Sequence, residues 1–148
     1  MGWSTGKRIG VATAVAGTLD ILAAIGLTLY YGRRTVTQML TGVASGPFPD
    51  AENWGDAAAA AGLAVHFVLM AIMAAVFVLA ADRMPALKRQ PILWGVLYGL
   101  ATYVVMNLIV VPWRFDLPLP PSTAAIVTQL FCHVFLVGIP IALVARKG

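Results

Sequence analysis

The feature that most constrains the fold of this chain is an apolar stretch at residues 57–81, AAAAAGLAVHFVLMAIMAAVFVLAA. It contains one notable polar side chain, His66, and charge follows it at Asp82 and Arg83. With a rise of about 1.5 Å per residue, a helix of this length crosses a hydrocarbon core of about 30 Å. An ionisable ring inside such a helix is costly unless the protein pairs it or uses it. The stretch therefore predicts a transmembrane helix and raises the question of what contacts His66.

The composition extends this prediction to the whole chain. Of the 148 residues, 60% are hydrophobic and 11% are charged, whereas soluble domains carry about 25% charged residues. We predict an all-α, polytopic membrane protein with a single domain of four transmembrane helices in an up-down-up-down bundle. The predicted spans are 9–31, 57–81, 91–111 and 123–145, and an interfacial loop at 32–56 includes a short helix at about 35–45. Pro140 is expected to kink the fourth span.

The distribution of basic residues predicts the orientation. Seven of the ten Lys and Arg residues lie at the N-terminus, the turn between the second and third spans, and the C-terminus. The other two loops carry the remaining three and most of the acidic residues. By the positive-inside rule, both termini are cytoplasmic. We therefore expect a multi-pass protein of the bacterial inner membrane, with the lipid bilayer as its first partner.

Three ionisable groups are predicted to lie near the middle of the bilayer. Counted along the helices, His66 and His133 lie about 14 and 15 Å from the outer edge, and Asp20 lies about 16 Å from the inner edge. A carboxylate at this depth must be protonated, paired or hydrated. Asn107, Gln129 and Tyr103 are further candidates for pairing or proton relay on the third and fourth spans.

Four hypotheses for this cluster stay open, and the first two are favoured: the chain is a binding protein or accessory subunit that holds a haem-like tetrapyrrole or a metal. The second and fourth spans are parallel and diagonally opposed in such a bundle, so His66 and His133 are candidate axial ligands of a non-covalently bound haem-like tetrapyrrole. The two histidines with Asp20 also match a three-ligand pattern for a transition metal. A third hypothesis is proton or ion transfer through these groups; because four helices leave little room for a pore, it favours a homo-oligomer or a larger membrane complex. A purely structural pairing is the fourth.

Other functional classes find no support in the sequence. Basic residues lie at segment ends and do not interleave with aromatic residues, so nucleic acid is not an expected partner. Phosphate loops and the motifs of soluble hydrolases and metalloproteases are missing, which makes an enzyme the less favoured class. The single cysteine, Cys132, lies in an apolar run and allows no disulfide within the chain.

Small residues predict where the helices meet. Gly95 and Gly99 form a GxxxG pair in the third span, and Gly17 lies on a small, polar face of the first. Such residues let helix backbones approach closely in lipid. The segments around His66 and His133, LAVHFVLMAI and LFCHVFLVGI, also align. This alignment suggests a parallel repeat of two helical hairpins.

Several segments after residue 37 resemble a known family. They are QMLTGVASG at 38–46, GLAVHF at 62–67, ADRMPALKRQPILWGVLYGLATYVVMNLIVVP at 81–112 and HVFLVGIPIALVAR at 133–146. In these the chain is similar to the YagU-like group of small uncharacterised bacterial inner-membrane proteins. The resemblance implies membrane location and topology, and no activity. Both His66 and His133 lie in matched segments, whereas Asp20 does not.

Overall fold

The computed structural model describes residues 2–148, which form helices joined by loops, with no strand in that range. Four helices are long and apolar enough to cross a membrane. We label them α1 (Thr5–Tyr31), α3 (Asp56–Arg83), α5 (Pro91–Phe115) and α6 (Thr123–Ala145). The shorter helices are α2 (Val36–Ala44) and α4 (Pro85–Arg89). The predicted all-α class with four membrane-length helices is confirmed.

The helix ends follow local capping chemistry. Ser4 accepts a hydrogen bond from the Lys7 N–H at the start of α1, and Gly32 ends that helix in the left-handed conformation, with φ of 61°. Thr35 and Gln38 form a capping box at the start of α2. α1 therefore begins four residues before its predicted start at residue 9. The capping box at Thr35 marks the start of the short helix that is predicted within the 32–56 loop.

Two π-helical segments interrupt the third and fourth spans. They cover Val104–Val110 in α5 and Cys132–Gly138 in α6, and each ends two residues before a proline, Pro112 or Pro140. Proline has no N–H to donate, and its ring clashes with the carbonyl four residues earlier. The wider π turn accommodates both problems and lets the helix continue. As a result α5 runs through Pro112 to Phe115, beyond its predicted end at residue 111.

Consecutive spans pack in opposite directions. The N-terminal end of α1 contacts the C-terminal ends of α3 and α6, because Arg8 bonds both Asp82 and the Ala145 carbonyl. α5 packs along α6, with Gly95 beside Ile139. This alternation is consistent with the predicted up-down bundle. Which end faces the cytoplasm stays a prediction.

The main hydrophobic core lies in the half of the bundle that contains both chain termini. Its centre is made of small and medium side chains from α1, α3 and α6, including Ala12, Ala74, Val78 and Ile141, which are fully buried. Leu22, Val68 and other large apolar side chains are instead exposed around the outside. An apolar exterior over an apolar core is the expected pattern for helices surrounded by lipid.

A charged cluster closes this same end of the bundle. The side chain of Arg8 is only 4% exposed and lies 2.8 Å from the Asp82 carboxylate, which Lys88 also contacts at 2.9 Å. Thr5 donates to the same carboxylate. Asp82 therefore connects α1, α3 and α4 at one point, and the Arg8 guanidinium extends the connection to α6.

Contacts at the opposite end attach the first loop to the bundle. A Cβ at Gly62 of α3 would overlap the Leu40 carbonyl oxygen of α2, so the two helices touch backbone to backbone. Arg114, at the end of α5, donates to the Ser45 and Gly46 carbonyl oxygens at 2.7 and 2.6 Å. The first loop therefore packs closely against two spans.

Candidate functional site

His66 of α3 contacts α1 through both of its ring nitrogens. Its Nε2 lies 2.9 Å from the Gly17 carbonyl oxygen. Its Nδ1 lies 3.9 Å from the Asp20 carboxylate. The side chains are 12% exposed for His66 and 27% for Asp20. The two ionisable groups that the sequence places at similar depth on neighbouring helices therefore face each other.

The partners of His66 determine where its protons lie. A carbonyl oxygen only accepts, so the bond to Gly17 requires a proton on Nε2. The Nδ1 of a neutral ring would then present a lone pair toward the Asp20 oxygen. Without a further proton, the Nδ1 lone pair and the carboxylate oxygen repel each other. A proton on Nδ1 turns the contact into an ion pair, and a proton on the Asp20 carboxylate turns it into a neutral pair. At 3.9 Å the two atoms lie within ion-pair range but beyond hydrogen-bond distance.

His133 of α6 is held by different chemistry, against α5. Its Nδ1 lies 3.1 Å from the Thr102 hydroxyl and its Nε2 lies 3.0 Å from the Asn107 amide nitrogen. Thr102 donates its own proton to the Gly99 carbonyl, so its oxygen accepts from Nδ1–H, and Nε2 accepts from Asn107. This chain of bonds satisfies a neutral ring completely. His133 is a hydrogen-bonded structural residue in this arrangement.

The two histidine sites share a common geometry. In each hairpin a glycine of the first span lies against the histidine of the second: Gly17 against His66, and Gly99 against His133. Three residues after each glycine comes the side chain that faces Nδ1, Asp20 in α1 and Thr102 in α5. The correspondence is consistent with the predicted repeat of two hairpins. It also shows how the halves differ, since an ionisable carboxylate in one corresponds to a neutral hydroxyl in the other.

The geometry does not fit a cofactor between the two histidines. Each ring is directed to the preceding span of its own hairpin, and both nitrogens of each ring face protein atoms. An axial ligand needs one nitrogen directed at the metal. Within residues 2–148, no group of three His, Cys, Asp or Glu side chains is arranged to hold a metal ion. The predicted set of His66, His133 and Asp20 is therefore divided between two helix interfaces.

The remaining predicted residues lie around His133. Asn107 is its direct partner, and the buried Tyr103 ring packs edge-on to it with centroids 6.1 Å apart. Gln129 is half-buried on the same helix, one turn earlier. The helix-packing glycines lie at close approaches: a Cβ on Gly95 would lie 2.8 Å from the Ile139 Cα, and one on Gly17 would lie 2.6 Å from the Phe67 ring.

Two partners of the histidines were missed by sequence reasoning. They are the Thr102 hydroxyl and the Gly17 carbonyl oxygen. The repeated spacing of a glycine followed three residues later by an oxygen-bearing side chain, at 17/20 and 99/102, is the signal that links them.

No family model, curated protein or solved structure matches this chain. The resemblance to YagU-like proteins stays a prediction.

Proposed function

We propose that this chain is a proton-coupled element of a bacterial inner membrane, in which Asp20 and His66 take up and release a proton. The observation that carries the proposal is the Nδ1 to carboxylate distance of 3.9 Å across the α1–α3 interface. A titratable carboxylate is rare inside a membrane span and usually serves an ion or proton pathway when it is present. Asp20 is the one acidic residue in the interior of a span.

Partial exposure supports exchange of this proton. More than a quarter of the Asp20 side chain is accessible, and complete burial of a charged carboxylate would carry a desolvation penalty of several kcal/mol. His133 offers the contrast, because its one ring proton is donated to Thr102 and its other ring nitrogen accepts a hydrogen bond from Asn107. The proposal therefore assigns proton binding to the first hairpin and scaffolding to the second.

A route across the membrane requires more than this one pair. The core in the half with the chain termini is closely packed, and the Asp82 cluster lies at its end. We therefore propose that the working unit is a homo-oligomer or a larger membrane complex, with both termini of each chain in the cytoplasm. Membership of the YagU-like group is part of the same proposal.

Proton flux in liposomes tests this function. The full chain is reconstituted with a pH-sensitive dye inside the vesicles, and the internal pH is followed after an external pH jump. We expect flux above that of empty vesicles, and its loss in Asp20→Asn and His66→Gln. His133→Gln serves as the matched control and should keep the flux. Equal flux from wild type and Asp20→Asn would refute the proposal and leave the pair as a structural contact.

A further inference from the structure

Two lysine side chains meet on one aromatic ring at the end of the bundle that contains both chain termini. The Nζ atoms of Lys7 and Lys147 lie 4.5 and 4.6 Å from the centre of the Trp3 ring. Both lysines are exposed, whereas Trp3 is half-buried and packs against the hydrophobic core. The backbone N–H of Trp3 also donates to the Lys147 carbonyl oxygen at 2.8 Å. These three residues, which we call the Trp3 platform, therefore hold two cations at a fixed place on the bundle.

The two ammonium groups have no acidic partner within residues 2–148. Asp82 is the one acidic side chain among the segments at this end, and it already contacts Arg8 and Lys88. Because both ammonium groups lie within 4.6 Å of the same ring centre, they are about 9 Å apart at most. This separation is close to the Debye length of about 8–10 Å, so dissolved salt screens their repulsion only in part. An anion beside the ring would relieve the repulsion.

The Trp3 platform lies where a spanning helix leaves the bilayer. α1 begins two residues after Trp3, and the chain is uncharged from Ile9 to Leu19. Tryptophan is enriched at this level because its ring is apolar and its N–H is polar. The anions that a membrane supplies at this level are the phosphates of its lipid headgroups, and basic residues beside a spanning helix attract anionic lipids.

A shallow depression on α1 offers a place for the acyl chain of such a lipid. Its volume is about 360 Å³, and it is lined by Ala14, Val15, Thr18 and Leu19. Ala14 and Thr18 lie seven and eleven residues after Lys7, so all three are on one face of the helix. At 1.5 Å per residue, Ala14 lies about 10 Å from Lys7 along the axis. This is less than the half-thickness of about 15 Å that the acyl chains of one leaflet fill.

We infer that the Trp3 platform binds the phosphate of an anionic phospholipid, whose acyl chain lies in the depression along Ala14 and Thr18. A zwitterionic lipid carries its own cation beside the phosphate and gains less from the two lysines. The platform therefore selects phosphatidylglycerol over phosphatidylcholine. It shares no residue with the Asp20–His66 pair, and it works in whichever leaflet surrounds the chain termini.

Quenching of Trp3 fluorescence by brominated lipids tests the inference at the site itself. The other three tryptophans are replaced by phenylalanine, and the full chain is reconstituted in phosphatidylcholine vesicles with rising fractions of brominated phosphatidylglycerol or brominated phosphatidylcholine. We expect phosphatidylglycerol to reach half-maximal quenching at a mole fraction at least about tenfold lower. Lys7→Gln and Lys147→Gln should each reduce this preference about fivefold, which corresponds to about 1 kcal/mol.

Two control proteins distinguish a defined site from general attraction by charge. Arg89→Gln removes one exposed charge at the same end, outside the Trp3 platform, and should leave the lipid preference at Trp3 unchanged. A protein that keeps only Trp113, which is 85% exposed at the opposite end, should show no preference. Equal quenching of Trp3 by the two lipids, or equal effects of Arg89→Gln and Lys7→Gln, would overturn the inference. A preference abolished by inorganic phosphate, but not by chloride of equal ionic strength, would instead assign the platform to a dissolved anion and also overturn it.

Native mass spectrometry gives the same comparison without any change of tryptophan. The wild-type chain and Lys7→Gln are released from detergent micelles that contain equal amounts of the two lipids. We expect wild type to retain phosphatidylglycerol over phosphatidylcholine, and Lys7→Gln to lose most of this difference. Retention of both lipids in equal amounts by wild type would contradict the assignment.

Discussion

Replacement of Gly99 by alanine is expected to force α5 and α6 apart at the His133 site. The added Cβ would overlap the His133 carbonyl oxygen and lie 2.6 Å from the Val134 Cα. Carbon atoms in ordinary contact are separated by about 3.5–4.0 Å. The helices must therefore move by about 1 Å to restore contact distances. Both neighbours belong to backbone and cannot turn aside, so the whole interface must adjust.

The expected cost follows from this displacement. Overpacking of a closely packed site costs about 1–3 kcal/mol. The movement also stretches the bonds from His133 to Thr102 and Asn107, now 3.1 and 3.0 Å long, and such interhelical bonds in membranes contribute about 0.6 kcal/mol each. Together these terms predict a loss of about 2–4 kcal/mol in the free energy of unfolding.

Reversible unfolding of the purified protein in mixed micelles, titrated with sodium dodecyl sulfate and followed by circular dichroism, measures this loss. Gly10→Ala is the matched control, because its Cβ meets nothing within 4 Å. A Gly99→Ala protein within about 0.5 kcal/mol of wild type, the range of ordinary surface substitutions, would refute the close packing of these two helices.

Three further predictions concern other parts of the bundle. Asp82→Asn removes the carboxylate that neutralises the buried Arg8, and we expect the same unfolding assay to show a loss of about 1–3 kcal/mol; an unchanged stability would contradict the role of this cluster. Arg114→Ala removes two bonds to the first loop, so amide hydrogen exchange in α2 should accelerate, and unchanged exchange would show that packing alone holds the loop. His133→Leu leaves Asn107 without its partner, and it should lower stability by about 1–2 kcal/mol while proton flux persists; loss of flux would place His133 in the proton pathway.

Hydropathy and depth account for what the sequence predicts correctly. A run of 25 apolar residues at 57–81 has few alternatives to a spanning helix, because lipid leaves backbone groups no other way to be satisfied. The facing of His66 and Asp20 across neighbouring antiparallel helices is likewise consistent with their similar depth. The depth of a residue along a helix, however, does not determine in which direction its side chain points around the helix axis.

That missing rotational information explains where the site differed from expectation. Equal depth suggested that His66 and His133 meet across the bundle, yet each ring turns toward the preceding span. The π segment that contains His133 changes the angular position of every side chain in it, and hydrophobic periodicity carries no sign of such a segment. The prolines at 112 and 140 are visible in the sequence, but whether a helix ends, kinks or widens before a proline depends on its neighbours.

The packing of α2 shows the same limit. The sequence predicts a short helix at about 35–45 in the first loop, and the helix is present. The backbone contact between α2 and α3 depends on the absence of a side chain at Gly62, which lies more than 20 positions after Leu40 in the chain.

The protonation states of the two histidine rings test the central claim most directly. Nitrogen-15 NMR of the reconstituted chain, labelled at histidine, gives separate ring signals for His66 and His133, and His133→Gln assigns them. We predict that the neutral His66 ring carries its proton on Nε2 and that Asp20→Asn changes its Nδ1 signal, while the neutral His133 ring carries its proton on Nδ1. A His66 Nδ1 signal that is identical in wild type and Asp20→Asn would contradict the account.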